Sequence, residues 1–155
     1  MQKTRPRALY ILLALILFQG LGGLAGGSVL ILKPDGSILH MSASILHDSV
    51  FASFLIPGLI LFWVLGVTPV FVFPLLLAQP DWRFLQAINI YKNRYVGWTL
   101  SLLLGLGLII WMDVEVAIIG YGSFIQGLYS GLGLLIVIFT LIPGVMKYYE
   151  RPHLS

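Results

Sequence analysis

Residues 49–80 read SVFASFLIPGLILFWVLGVTPVFVFPLLLAQP, thirty-two positions without one Asp, Glu, Lys or Arg. An apolar run of about 18 residues is already long enough to cross a bilayer. Three more charge-free runs accompany it, residues 8–32, 95–112 and 116–146, with lengths of 25, 18 and 31. Together the four hold 106 of the 155 residues. Charged residues are only 10% of the chain, against roughly 25% in an average soluble domain. The apolar share is 59%, and the mean hydropathy is +0.98. A soluble globule of this length has too little interior to hide that much apolar surface. The expected fold is therefore all-α: a single polytopic membrane domain, an antiparallel bundle of four transmembrane helices.

Several chemistries are excluded by composition. The chain has no Cys, so it has no disulfide, thiol relay, Fe–S cluster or Cys-ligated zinc, and the small four-helix thiol–quinone oxidoreductases are ruled out. His40, His47 and His153 all lie outside the charge-free runs, which argues against haem held between spans. His40, His47 and Asp48 are too few and too loop-bound to be read as a metal site. No phosphate-cradling glycine loop with a Lys is present. No cofactor and no metal are expected.

Charge distribution sets the expected topology. With both termini in the cytoplasm, that side holds Lys3, Arg5, Arg7, Arg83, Lys92, Arg94, Lys147 and Arg151, and the outer side holds only Lys33. That asymmetry follows the positive-inside rule and predicts a multi-pass protein of the cytoplasmic (inner) membrane. The net charge of +3 is a topology signal on this reading. Nucleic-acid binding is not expected, because the basic residues are dispersed at helix ends. Proximity to anionic inner-leaflet lipids explains them. The basic start, apolar Ala8–Phe18 and Gly23-Leu24-Ala25 also fit a cleaved secretory signal. The apolar stretch continues through Val29-Leu30-Ile31-Leu32, which favours a span.

Span 1 is expected over Ala8–Gly27, span 2 over Phe51–Ala78, span 3 over Val96–Ile119 and span 4 over Phe124–Met146. An outer loop (28–50) and an inner loop (79–95) connect them. Gly22/Gly26 and Gly23/Gly27 in span 1, Gly97/Ser101/Gly105 in span 3 and Gly127/Gly131 in span 4 recur at four-residue spacing. Such small stripes let another backbone approach closely, whether in this chain, in a second copy or in a protein partner. Five glycines between Gly20 and Gly27 weaken the helix and are expected to end it. In the outer loop, Pro34-Asp35-Gly36 stands between two β-prone runs and predicts a short extracytoplasmic β-hairpin. The competing reading is a helix that runs to Leu32 and stops at Lys33-Pro34. Ser42 is a possible cap for a short interfacial turn, and Asp48 for span 2. Pro57, Pro69 and Pro74 each delete a donor in span 2, so Ser53, Thr68 or a neighbouring helix must satisfy freed carbonyls. The inner loop reads as an amphipathic interfacial helix capped by Asp81. Its Trp82, Tyr91 and Tyr95 suit the headgroup region, with Arg83, Lys92 and Arg94 turned to phosphates.

Pro34-Asp35-Gly36-Ser37, Phe54-Leu55-Ile56-Pro57-Gly58-Leu59-Ile60-Leu61, Leu65-Gly66-Val67 and Gly107-Leu108-Ile109-Ile110-Trp111 together resemble a group of small bacterial four-span proteins of unassigned function. The resemblance covers about half the chain. It implies four spans and carries no activity.

Asp113 and Glu115 are the sharpest chemical feature, since ionisable residues in a span cost ~2.5–3.5 kcal/mol at its centre. If span 3 is centred near Gly107, they lie about 9 and 12 Å outward, within a hydrocarbon half-thickness of about 15 Å. Residues i and i+2 stand about 200° apart on a helix, which disfavours an acid–base dyad. Glu115 shares the face of Ser101, Gly105, Leu108 and Met112 and is the candidate for the interior. Gln126 enters span 4 one turn away, and Lys33 is the one outer cation available to Glu115 or Asp113. Two roles are open for this group. One is a polar pocket for a lipid headgroup, a polar-headed apolar ligand or a proton. The other is a structural cluster pinning the outer loops. Gln19 reads as an interhelical hydrogen-bonding residue. No nucleophile and base converge, and spans 1–2 and 3–4 share no proline pattern of repeated halves. The expected function is a non-catalytic membrane component, lipid-binding or scaffolding. The alternative is a small transporter, channel or membrane enzyme built around Glu115.

Overall fold

The structure is a computed structural model, and it describes residues 4–41, 43–47 and 51–151. Among the described residues, four helices long and apolar enough to cross a membrane form an antiparallel bundle. The first is α1 (Arg7–Leu32). The second is composite: α2 (Leu55–Phe62), a π-helical turn (Trp63–Val67) and α3 (Thr68–Ala78). After the short α4 (Arg83–Ile88) come α5 (Val96–Ile119) and α6 (Phe124–Leu141), and α7 (Pro143–Tyr148) closes the described chain. Each long helix packs on the next, and α6 returns to α1. Leu9, Leu12, Ile16, Val72, Leu76, Leu108 and Ile136 form the buried centre. Ile11, Leu17, Leu21, Phe71, Ile110 and Leu134 stay exposed around it, an apolar belt suited to lipid.

Backbone approach explains the pairing. A Cβ on Gly27 would come within 2.5 Å of the Phe62 backbone nitrogen, and one on Gly23 would collide with the Leu65 carbonyl. α1 therefore lies against span 2 with no side chain between them. That packing also keeps α1 helical through its glycines to Leu32, five residues beyond the end expected from helix propensity. On α5, Gly97 faces the Leu75 backbone, and Gly105 faces the Gly133 carbonyl of α6 at 3.0 Å from its Cβ position. Ser101 is buried between them, with its Oγ donating to Trp98 O and 3.3 Å from Thr140 Oγ1.

The expected β-hairpin is not formed. Val29–Leu32 stay in α1, and the Lys33 N–H still donates to Val29 O at 3.0 Å, so the first arm is never extended. Pro34 stops the helix, which is the competing reading. The turn itself is present: Gly36 N–H donates to Lys33 O, Gly36 takes φ +77°, and Ser37 N–H donates to Asp35 Oδ1 at 3.0 Å. A 3₁₀ turn over Ser37–Leu39 follows in place of the second arm, and another spans Ala43–Leu46. Leu30, Leu46 and Phe54 form a small second core beneath them. The caps expected at Ser42 and Asp48 lie outside the described residues. Span 2 starts at Leu55, later than Phe51, because Phe54 turns into that second core. Span 4 ends at Leu141, earlier than Met146, because Ile142 is extended ahead of Pro143 and the chain restarts as α7.

Candidate functional site

Glu115 and Gln126 meet where α5 turns into α6. Gln126 is 3% exposed, although it sits in the first turn of its helix. Its Oε1 accepts from the Gly122 and Ser123 N–H groups at 3.0 and 3.2 Å. Its Nε2 donates to Gly120 O at 3.1 Å and to Glu115 Oε1 at 3.3 Å. Ser123 Oγ accepts from Ile125 N–H at 3.1 Å and completes a capping box. Gly120 turns the chain with φ +76°, a conformation that needs no Cβ. Gln126 thus uses both ends of its amide to close the connection, and Glu115 accepts its remaining proton. Glu115 is half-buried, whereas Asp113 is exposed on another face of α5.

The structure does not bring Lys33 or Asp113 to this pair. Lys33 is exposed beyond the end of α1 and makes no hydrogen bond or ion pair with Glu115 or Asp113 among the described residues. Among the small residues, Gly22 packs under the Tyr129 hydroxyl and Gly26 against Leu61. Gly127 faces the Tyr121 hydroxyl, at 2.9 Å from its Cβ position. Gly131, paired with Gly127 by spacing as a small face for a neighbouring helix, has nothing within 4 Å of its Cβ position among the described residues; the close approach falls instead to Gly133. A four-residue repeat gives a stripe, and only the neighbour's position decides which stripe is used. Among the described residues no group of three or more metal-ligating side chains is assembled.

Gln19 is fully buried, and its Nε2 donates to Leu65 O at 3.1 Å. That carbonyl is four residues before Pro69, whose ring nitrogen has no proton to offer it. The span 1 amide thus gives a carbonyl of this interrupted stretch of span 2 a donor from another helix. Thr68 Oγ1 serves Trp63 O in the same π-helical turn at 3.1 Å. Gln19 Oε1 and Trp111 Nε1 are buried without a partner among the described residues.

The densest polar network lies at the opposite, basic end, and sequence reasoning missed it. Asn89 is 2% exposed. Its Nδ2 donates to Gln86 Oε1, Tyr91 O and Arg94 O, and its Oδ1 accepts from Thr99 Oγ1 at 2.6 Å. Lys92 Nζ donates to the carbonyls of Gln86 and Ala87 at the end of α4. Arg94 donates to Met146 O and stacks 4.7 Å above the Trp98 ring. Arg151 pairs with Asp81 at 2.6 Å and donates to Lys92 O. Tyr149 is fully buried and donates to Leu76 O at 2.7 Å; burial and the adjacent Tyr148 hydroxyl hold its own hydroxyl well above the usual tyrosine range. Lys92 and Arg94, expected at lipid phosphates, are thus turned onto backbone carbonyls. Asp81, expected as a helix cap, is an ion-pair partner. The available signal was two uncharged amides, Gln86 and Asn89, three residues apart among apolar neighbours. Polar residues on one face of an interfacial helix read as water-facing, and here that face is the inner one. Comparison with family models, curated proteins and solved structures finds no match to this chain.

Proposed function

We propose that this chain is a non-catalytic multi-pass membrane protein, a lipid-binding or scaffolding component of the cytoplasmic membrane with both termini in the cytoplasm. The observation that carries the reading is the use made of Gln126 and Glu115. The amide is fully occupied in closing the α5–α6 connection, and the carboxylate is tied to that amide. An amide so committed positions backbone; it is not free to bind and release a substrate. Gln19 commits its Nε2 to Leu65 O. The orientation is supported by charge: among the described residues, the end bearing the 79–95 loop holds seven Lys and Arg against two carboxylates.

The test is reconstitution. Proteoliposomes loaded with a pH-sensitive dye should show no proton flux above that of empty vesicles, and Glu115→Gln should leave the trace unchanged. A flux that Glu115→Gln abolishes, in protein that still folds, would replace this reading with a transporter or channel built on Glu115.

A further inference from the structure

The short α4 and its flanks are inside out for a loop in water. Asn89 and Gln86 are buried, whereas Trp82, Phe84, Ile88 and Ile90 are exposed, Phe84 by 73%. Phe84 and Ile88 stand one turn apart on the same face of α4, opposite the buried amides. Four large apolar side chains in nine residues are an unusual surface to give to solvent. The loop also cannot simply rotate to hide them. Asn89 is held by Thr99 of α5 and by three acceptors, and Lys92 caps the end of α4. Arg151–Asp81 and the Tyr95 N–H to Tyr149 O bond tie the loop's two ends to the C-terminal segment. The apolar residues are therefore presented outward by a rigid frame.

Position and charge identify what covers them. The loop joins the ends of α3 and α5, so its exposed apolar side chains continue the apolar belt of the spans into the interfacial layer. Arg5, Lys92, Arg94 and Arg151 are engaged in holding backbone or partner side chains. Arg83 is not: it is exposed between Trp82 and Phe84 and makes no hydrogen bond or ion pair among the described residues. A free guanidinium flanked by two exposed aromatic rings suits a phosphate above acyl chains.

We propose that residues 82–90 form a preorganised anionic-phospholipid site, with Phe84, Ile88 and Ile90 inserted among acyl chains, Trp82 at headgroup level and Arg83 on the lipid phosphate. This rests on the lipid-binding reading above and names its site and its ligand class.

The absence of cysteine makes the test direct. Single Cys residues replace Phe84, Ile88 and Ile90, with Leu134 as a lipid-facing reference and Asn93 as an aqueous one, each carrying a nitroxide. The protein is reconstituted in phosphatidylcholine vesicles with and without phosphatidylglycerol. Labels at 84, 88 and 90 should collide with oxygen as at 134 and be shielded from a water-soluble nickel chelate. In the full-length protein, preference for spin-labelled phosphatidylglycerol over phosphatidylcholine should fall by up to about fivefold in Arg83→Gln, the worth of one basic residue at an anionic surface. Three results would overturn the proposal: chelate access as at 93, protection from both relaxants (a second copy or another protein covers the loop), or an unchanged preference in Arg83→Gln. None of these produces a Glu115-dependent flux, so this proposal and the function it rests on fail by separate measurements.

Discussion

Tyr149 shows how a single hydroxyl fastens the C-terminal segment to the bundle. Its proton is donated to Leu76 O, at the end of span 2, from a fully buried position. Tyr149→Phe should cost about 1 kcal/mol, the usual net worth of one such bond plus the orphaned carbonyl. The pH dependence has a definite sign. A folded-state tyrosine held above its unfolded value keeps its full contribution below about pH 10 and loses it as pH rises further, because the unfolded chain gives up the proton first. Thermal unfolding in detergent should fall off above about pH 10 in the native protein and less steeply in Tyr149→Phe. An identical alkaline limb in both would remove Tyr149 from the account. At the other end of the bundle, Gln126→Ala strands two N–H groups and the Glu115 carboxylate and should cost about 1–3 kcal/mol. Glu115→Gln keeps an acceptor for the same amide and should change stability by no more than about 0.5 kcal/mol. The closeness of Glu115 and Gln126 was legible in the sequence from the short connection between spans 3 and 4. The extent of Gln126's commitment was not, because it depends on the backbone of Gly120–Ser123.

Span 2 is the element whose shape needs a second helix to explain it. Pro69 opens the ladder, the π-helical turn absorbs the irregularity, and Gln19 donates from span 1 to Leu65 O within that turn. Gln19→Leu should destabilise by about 1–3 kcal/mol, since Leu65 O would lose its side-chain donor in an apolar core. Pro69→Ala restores a backbone proton near the same carbonyl, so the double variant should lose less than the sum of the singles. Strict additivity in a double-mutant cycle would mean the two residues do not share that carbonyl. Among the small residues, Gly105→Leu meets α6 backbone and should cost about 1–3 kcal/mol, whereas a Cβ at Gly131 meets nothing within 4 Å among the described residues. The stripes were visible as four-residue spacing. Which stripe touches which helix was not, because Gly105 and Gly133 pair through the crossing of α5 on α6. The hairpin expectation failed for a related reason. Pro-Asp-Gly fixes a turn, but the state of Val29–Leu32 was set by α1 packing on Leu61 and Phe62, far away in sequence.

For the whole molecule, four helices, their alternation and the location of charge at their ends followed from the charge-free runs, because a bilayer-length apolar segment has few alternatives. Span 3 was bounded at Val96 and Ile119 by Tyr95 and Gly120, both readable locally. The interlocked basic end was not readable, since it joins residues from Arg5, the 79–95 loop and the chain's last described turn. All of this stands on the claim that the bundle crosses a membrane, with the 79–95 loop on the cytoplasmic side and the α5–α6 connection on the other. In a chain without native cysteine, single Cys residues at Ser37, Tyr121 and Asn93, all exposed, report this directly when intact cells meet a membrane-impermeant maleimide. Positions 37 and 121 should label in intact cells, and position 93 only after the membrane is opened. Labelling of 93 in intact cells, or protection of 37 and 121 until lysis, would contradict the account.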